Sequence, residues 1–252
     1  MRIMVFVSQI LDAEERVRIR DRAVDLSASK LVVDPMDEYG VEEALRLREA
    51  GADAEIIAVG IGSAILQEAL RAVLSLGADR AIHVTSTTRV DAMAAGAILA
   101  AVAREEAADL IFIGGQQASL DSQAIGAAAA EHLDWPQVTW VSALKLESRT
   151  LTGKHDVDAG KESFVVDLPA VITTQQGLNE PRYPTLPNIV KSRKKEIRSE
   201  PIERFAVTVK TRTITEDLQT KERMHQVIDG KDAAAAALQL VEYLKREAKV
   251  IP

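Results

Sequence analysis

Four stretches of this 252-residue chain combine glycine or polar residues in a way that could hold an anionic ligand: 7–12, 34–37, 60–63 and 114–126. Each follows a short apolar run, so each is expected to lie beyond the carboxyl end of a parallel strand, where ligands of open α/β sheets collect. Gly60, Gly62, Gly114 and Gly115 let backbone N–H groups approach a phosphate, and a helix N-terminus favours negative charge. In the fourth stretch, Asp121, Ser122, Gln123, Ala124, Ile125 and Gly126 open an alanine-rich helix, with Ser122 and Gln123 as side-chain donors. Neither a GxGxxG fingerprint nor a Walker A motif is present, so capping by Asp121 or Ser122 fits these residues as well as nucleotide binding does. Bond-making chemistry finds less support. The chain has no cysteine and no GxSxG context. His83, His132, His155 and His225 are scattered without ligand spacing and read as surface or strand-edge residues, so no metal site is expected. The acidic pairs Glu14/Glu15, Glu42/Glu43 and Glu105/Glu106 read as solvated faces. The pattern suits holding a cofactor.

The elements that must position these loops are legible from periodicity. Ile3–Val7, Ile56–Val59, Ala81–Val84 and Leu110–Ile113 are short apolar runs that read as buried strands. Between them, helices are predicted over 38–50, with Asp37 as its cap, over 64–76 and over 92–105. This alternation predicts an α/β fold with a doubly wound, mainly parallel sheet. After Trp135-Pro136 the period shortens, and 140–146, 150–157, 163–168 and 169–174 read as added β segments. Residues 197–223 are densely charged and read as an arm, and Asp232 caps a terminal helix over 233–248 striped by Leu238, Val241, Leu244 and Ala248.

Composition narrows the function classes. Apolar residues make up 47% and aromatic residues only 4%, with a net charge of −7. A core of Ala, Val, Ile and Leu suits helices on a parallel sheet, while scarce aromatics and negative charge argue against nucleic acid as a partner. The N-terminal apolar run is too short for a signal peptide, and no stretch approaches the ~20 residues of a membrane span, so no direct membrane insertion is expected. The absence of cysteine fits a cytoplasmic protein.

One segment stands apart. Leu178–Val190 carries Pro181, Pro184 and Pro187 and is followed by Lys191, Arg193, Lys194 and Lys195. Proline fixes φ, removes a donor and drives the preceding residue to extended conformations, so a stiff loop without helix is predicted. It would present Tyr183, Leu186 and Ile189 outward, or else pack on its own domain.

This stretch, LNEPRYPTLPNI with a basic run after it, resembles the signature loop of the electron transfer flavoprotein β subunit. Asp34-Pro-Met-Asp-Glu-Tyr-Gly-Val-Glu-Glu-Ala44, Leu76-Gly-Ala-Asp-Arg80, Gly114 with Gln116, and Leu133-Asp-Trp-Pro-Gln137 resemble further family motifs in the same order. The resemblance implies a Rossmann-type fold of the adenine nucleotide α-hydrolase-like kind. It implies a heterodimer with an α subunit that mainly holds FAD, with AMP in the β subunit. It also implies electron transfer from soluble, acyl-CoA-type dehydrogenases to a membrane quinone oxidoreductase, as in fatty acid β-oxidation. Carried over by position, the AMP contacts are Phe6, Asp34, Pro35, Met36, Asp37, Ile61, Gly114, Gln116, Asp121, Ser122, Gln123, Ala124 and Ile125. Partner recognition falls to Tyr183, Leu186, Pro187, Ile189, Lys191 and Lys194, with Leu186 as the anchor. Residues 1–190 are expected to form the nucleotide-binding domain, and 191–252 a basic segment, arm and helix that pack on α.

The sequence also departs from the family pattern. Ser8-Gln9 stands where Lys followed by Arg or Gln is usual, Asp34 replaces an asparagine, and Ile125 replaces a threonine near the phosphate. An apolar residue at that place is a feature of members that bind a second FAD and bifurcate electrons, which stays open as an alternative. A stand-alone adenine-nucleotide sensor is a further one.

Overall fold

The computed structural model describes residues 1–27, 29–118, 122–219 and 226–250. The chain runs through β1 (Arg2–Phe6), β2 (Gln9–Leu11), β3 (Ile19–Arg20), β4 (Ala23–Val24), β5 (Leu31–Val33) and α1 (Pro35–Glu49). It continues through β6 (Glu55–Gly62), α2 (Leu66–Leu76), β7 (Arg80–Thr85), α3 (Ala92–Glu105), β8 (Leu110–Gly114) and α4 (Ala124–Leu133). Next come β9 (Gln137–Glu147), β10 (Thr150–Val157), β11 (Gly160–Asp167), β12 (Ala170–Thr174), α5 (Leu186–Ser192), β13 (Ile197–Pro201) and α6 (Ala233–Arg246).

Among the described residues, nine strands form one sheet in the order β11-β10-β9-β12-β8-β1-β6-β7-β13. All pairings from β9 across to β13 are parallel, and β10 is antiparallel to both of its neighbours. Strand β1 shows why the run at 3–7 had to be almost wholly apolar. Ile3, Val5 and Val7 pack on one face with α1 and α2, and Met4 and Phe6 pack on the other with α3 and α4. A parallel strand covered on both faces has no solvated side to alternate with. Small residues let α3 and α4 meet closely: a Cβ on Gly96 would fall 2.4 Å from that of Ala128. The predicted doubly wound sheet with added β segments is therefore the fold.

Several local expectations change. Helix α1 starts at Pro35 and is capped by Asp34, whose side chain accepts from Met36 N; Asp37 lies inside its first turn. A residue before proline is held extended, which is also what an N-cap needs, and the first helical position requires no N–H. The same physics places a helix in the proline stretch: α5 carries Pro187 in its first turn. Strand β13 forms within the charged segment expected to be an arm, pairing with β7 from Ile197/Ala81 to Pro201/Thr85. An edge strand has little need of apolar side chains, which is why its sequence reads as charged. Beyond it, Phe205, Val207 and Val209 pack against the α3/α4 side of the core. One compact unit covers Met1–Glu216, and a second covers Asp217–Pro252. In the second, Asp232 caps α6 through Ala234 N and Ala235 N.

Histidine and acid placements also differ. His83 is fully buried on β7, its Nε2 3.1 Å from Gly62 O. Glu42, Glu43 and Glu106 are buried. Burial works against the charge of Glu106, yet hydrogen bonds from Arg80 and Arg198 hold its carboxyl below the usual range. Among the described residues, no helix is long and apolar enough to cross a membrane, and no cluster of three His, Asp or Glu could hold a metal.

Candidate functional site

The carboxyl ends of β1, β6, β7 and β8 open on a cavity of about 650 Å³. Its walls come from Phe6 and Ser8 at the exit of β1, Gln9–Leu11 of β2, Ile61–Ser63, Ser86–Val90, Gln117, Ala118 and Ile125. That volume is typical of a small-molecule site. Three of the expected nucleotide contacts, Phe6, Ile61 and Ile125, line it directly.

The others stand behind or beside it. Asp34 and Asp37 are buried at the start of α1 and tie two cavity loops, those after β1 and β8, to that helix. Asp34 Oδ2 accepts from Ala118 N at 2.7 Å. Asp37 Oδ2 accepts from Ser8 N at 2.8 Å and Ser8 Oγ at 2.7 Å, and its Oδ1 accepts from Gly114 N at 2.9 Å. Burial, then the charge of Asp34, push the Asp37 carboxyl up to about 7 against these donors. Gly114 is glycine for this close approach, since a Cβ would lie 2.8 Å from Met36 Cβ and 2.9 Å from Asp37 Oδ1. The Met36 carbonyl accepts from Thr174 Oγ1 at 3.1 Å, so Pro35-Met36 joins α1 to β12. Gln116 is half-buried next to Gln117. Ser122 Oγ accepts from Ala124 N, and the Ser122 backbone bridges to that of Gln117, while Gln123 is exposed. Asp121 lies outside the described residues.

Sequence reasoning missed part of this wall. Gln117 is buried, and its Nε2 donates to Gly114 O at 2.6 Å. The loop after β7 holds itself through Ser86 Oγ, which donates to Thr88 O at 2.7 Å. The hydroxyl cluster Thr85-Ser-Thr-Thr88 directly after a strand was the available signal. Gln9 Nε2 is buried without a hydrogen-bond partner among the described residues.

The proline stretch forms a second surface. Tyr183, Leu186 and Val190 are 93%, 75% and 57% exposed, and Pro187, Lys191 and Lys194 are also exposed. Ile189 is at the margin of exposure and lines a shallow groove with Arg71 of α2. Of the basic tetrad, Lys195 turns inward: its Nζ donates to Leu74 O at 3.1 Å and Ala78 O at 2.5 Å, a cation at the C-terminus of α2.

Residues 23–208 match the model of the electron transfer flavoprotein domain. The chain is 38% identical to the electron transfer flavoprotein subunit beta of Bradyrhizobium diazoefficiens over the whole of both chains. It is 37% identical to the mitochondrial subunit beta of Oryza sativa subsp. indica, again over both full lengths. With the Homo sapiens subunit beta it shares 39% identity over 78% of this chain and 80% of that one. With its fold and the order of its motifs in agreement, the chain belongs to the electron transfer flavoprotein family, among the β subunits.

Proposed function

We propose that this chain is the β half of a heterodimeric electron carrier that holds AMP in the cavity at the ends of β1, β6, β7 and β8. In this reading an α subunit mainly holds FAD, which supplies the redox chemistry when bound. The heterodimer takes electrons from soluble, acyl-CoA-type dehydrogenases and passes them to a membrane quinone oxidoreductase. This chain's residues hold, orient and dock; none is asked to make or break a bond.

The observation that carries the nucleotide reading is the orphaned Gln9 Nε2 in a wall that sets Phe6, Ile61, Val90 and Ile125 beside the polar side chains of Ser63, Ser86, Thr88 and Gln117. A buried donor without a partner costs free energy that a ligand acceptor would recover. The apolar side chains suit a purine, and the backbone of Ile61–Ser63 and the start of α4 offer N–H groups to a phosphate. A second FAD in place of AMP is supported by one feature: Ile125, buried at the wall, brings no hydroxyl to a phosphate.

The docking reading rests on Leu186. An exposed apolar side chain on an ordered segment is suited to a partner pocket, where truncating an anchor costs ~2 kcal/mol or more. Leu186→Ala in the chain co-expressed with its α partner should slow reduction by an acyl-CoA dehydrogenase about 30-fold, with flavin content unchanged. Unaltered transfer kinetics would remove Leu186 from that role.

A further inference from the structure

The proline stretch carries no regular structure before Leu186, yet its start is held by an ionic grip on α1. Arg182 Nε donates to Glu42 Oε2 at 2.8 Å and Nη2 to Glu42 Oε1 at 2.9 Å. The outer edge of the same guanidinium reaches Glu49: Nη1 to Oε1 at 2.5 Å and Nη2 to Oε2 at 3.0 Å. Glu42 and Glu49 are two helical turns apart, so one planar cation satisfies two carboxylates on one face of α1. The main chain is fixed as well, because Arg182 N donates to Glu42 Oε2 at 3.2 Å. Upstream, Asn179 Nδ2 donates to Tyr39 O and to Glu43 Oε2, both at 3.0 Å. Beyond Leu186, Arg71 of α2 donates to the carbonyls of Ser192 and Lys195. The exposed ridge of Tyr183, Leu186 and Val190 is therefore suspended between two pins, with Pro184 stiffening the short link from Arg182 to Leu186.

We propose that Arg182, gripped by Glu42 and Glu49, is a positioning residue for docking, holding the Leu186 ridge in its binding shape before any partner arrives. The proposal rests on the docking reading above. An unpinned ridge would lose its conformational entropy on binding, and the grip moves that cost into folding. Lysine keeps the charge but not the fork, so Arg182→Lys isolates the geometry.

The test uses the chain co-expressed with its α partner, an acyl-CoA dehydrogenase as electron donor, and amide exchange across 183–190. Arg182→Lys should raise the KM for the carrier about tenfold and leave the maximal rate within about twofold. Exchange should quicken at 183–190 and stay unchanged in the sheet. Glu49→Gln, whose side chain is mostly exposed and whose loss the fold withstands, should raise KM about threefold. Unchanged KM in both variants, with Leu186→Ala still impaired, overturns the grip alone. Unchanged KM in all three overturns the docking reading and the grip with it. Should Arg182→Lys fail to fold, Glu49→Gln decides: an unchanged KM there overturns the proposal.

Discussion

Helix α1 carries carboxylates at both ends, and their surroundings treat charge in opposite ways. At its start, Asp34 and Asp37 are buried together and held by Ser8 and the backbone N–H groups of Gly114 and Ala118. Burial and the neighbouring Asp34 raise Asp37 to about 7, and the same two causes raise Glu38. Further along, hydrogen bonds from Arg182 hold Glu49 below the usual carboxylate range and, with those of Glu42, raise Arg182 itself. The first cluster faces the cavity loops and uses the carboxylate as an acceptor for backbone. The second uses it as a counter-charge to fasten a distant segment. Residue type alone does not separate these roles; the partner does.

The largest expected effect strikes the first cluster. Gly114→Ala would drive a methyl into Met36 and Asp37 Oδ1, costing ~2–3 kcal/mol. It would appear as a lower denaturant midpoint at constant slope, and an unchanged midpoint would mean that α1 does not press on β8. Glu42→Gln comes next, at ~1–3 kcal/mol, because it strips the buried counter-charge from Arg182.

The third expectation is a pH dependence led by Asp37, to which Glu38 and Glu43, both also raised by burial, add with the same sign. The folded-state value of Asp37, about 7, lies above the unfolded carboxylate value of about 3.9. Its contribution is therefore complete below about pH 4 and is lost as pH rises through about 7, at roughly 1 kcal/mol per unit. Urea midpoints between pH 4 and 8 should show that fall in the parent chain and a flatter profile in Asp37→Asn; identical profiles would remove Asp37 as the source. Smallest is Glu49→Gln, within ~0.5 kcal/mol for a pair exposed on the Glu49 side. Equal costs from Glu42→Gln and Glu49→Gln, read as midpoints, would erase the distinction between a buried and an exposed grip.

Much of the fold was legible because both faces of the central sheet are covered, which leaves runs such as Ile3–Val7 with no ambiguity of period. The helix caps Asp34 and Asp232 show where local rules succeed and fail. Asp232 precedes an uninterrupted alanine run and reads directly as the cap, whereas the proline after Asp34, a helix breaker in the interior but an opener at the first helical position, shifts the expected cap to Asp37. The same double role of proline hides α5. Strand β13 escaped because Arg198 and Glu200 pair with each other at a sheet edge, so their charge said nothing about the strand. In the site, the loops after β1, β6 and β8 are legible from topology, whereas the loop after β7 is not, and the 34–37 stretch follows β5, which pairs antiparallel with β2 outside the main sheet. The roles of Glu42 and Asp37 are not legible either, because each depends on a contact with a segment distant in the chain, Arg182 in one case and Gly114 in the other.

The most direct test of the carrier reading is denaturing release and mass spectrometry of the nucleotides bound to this chain co-purified with its α partner. One FAD and one AMP per heterodimer are expected. Two FAD and no AMP would contradict the AMP assignment and give Ile125 its meaning, and no flavin at all would contradict the carrier reading itself.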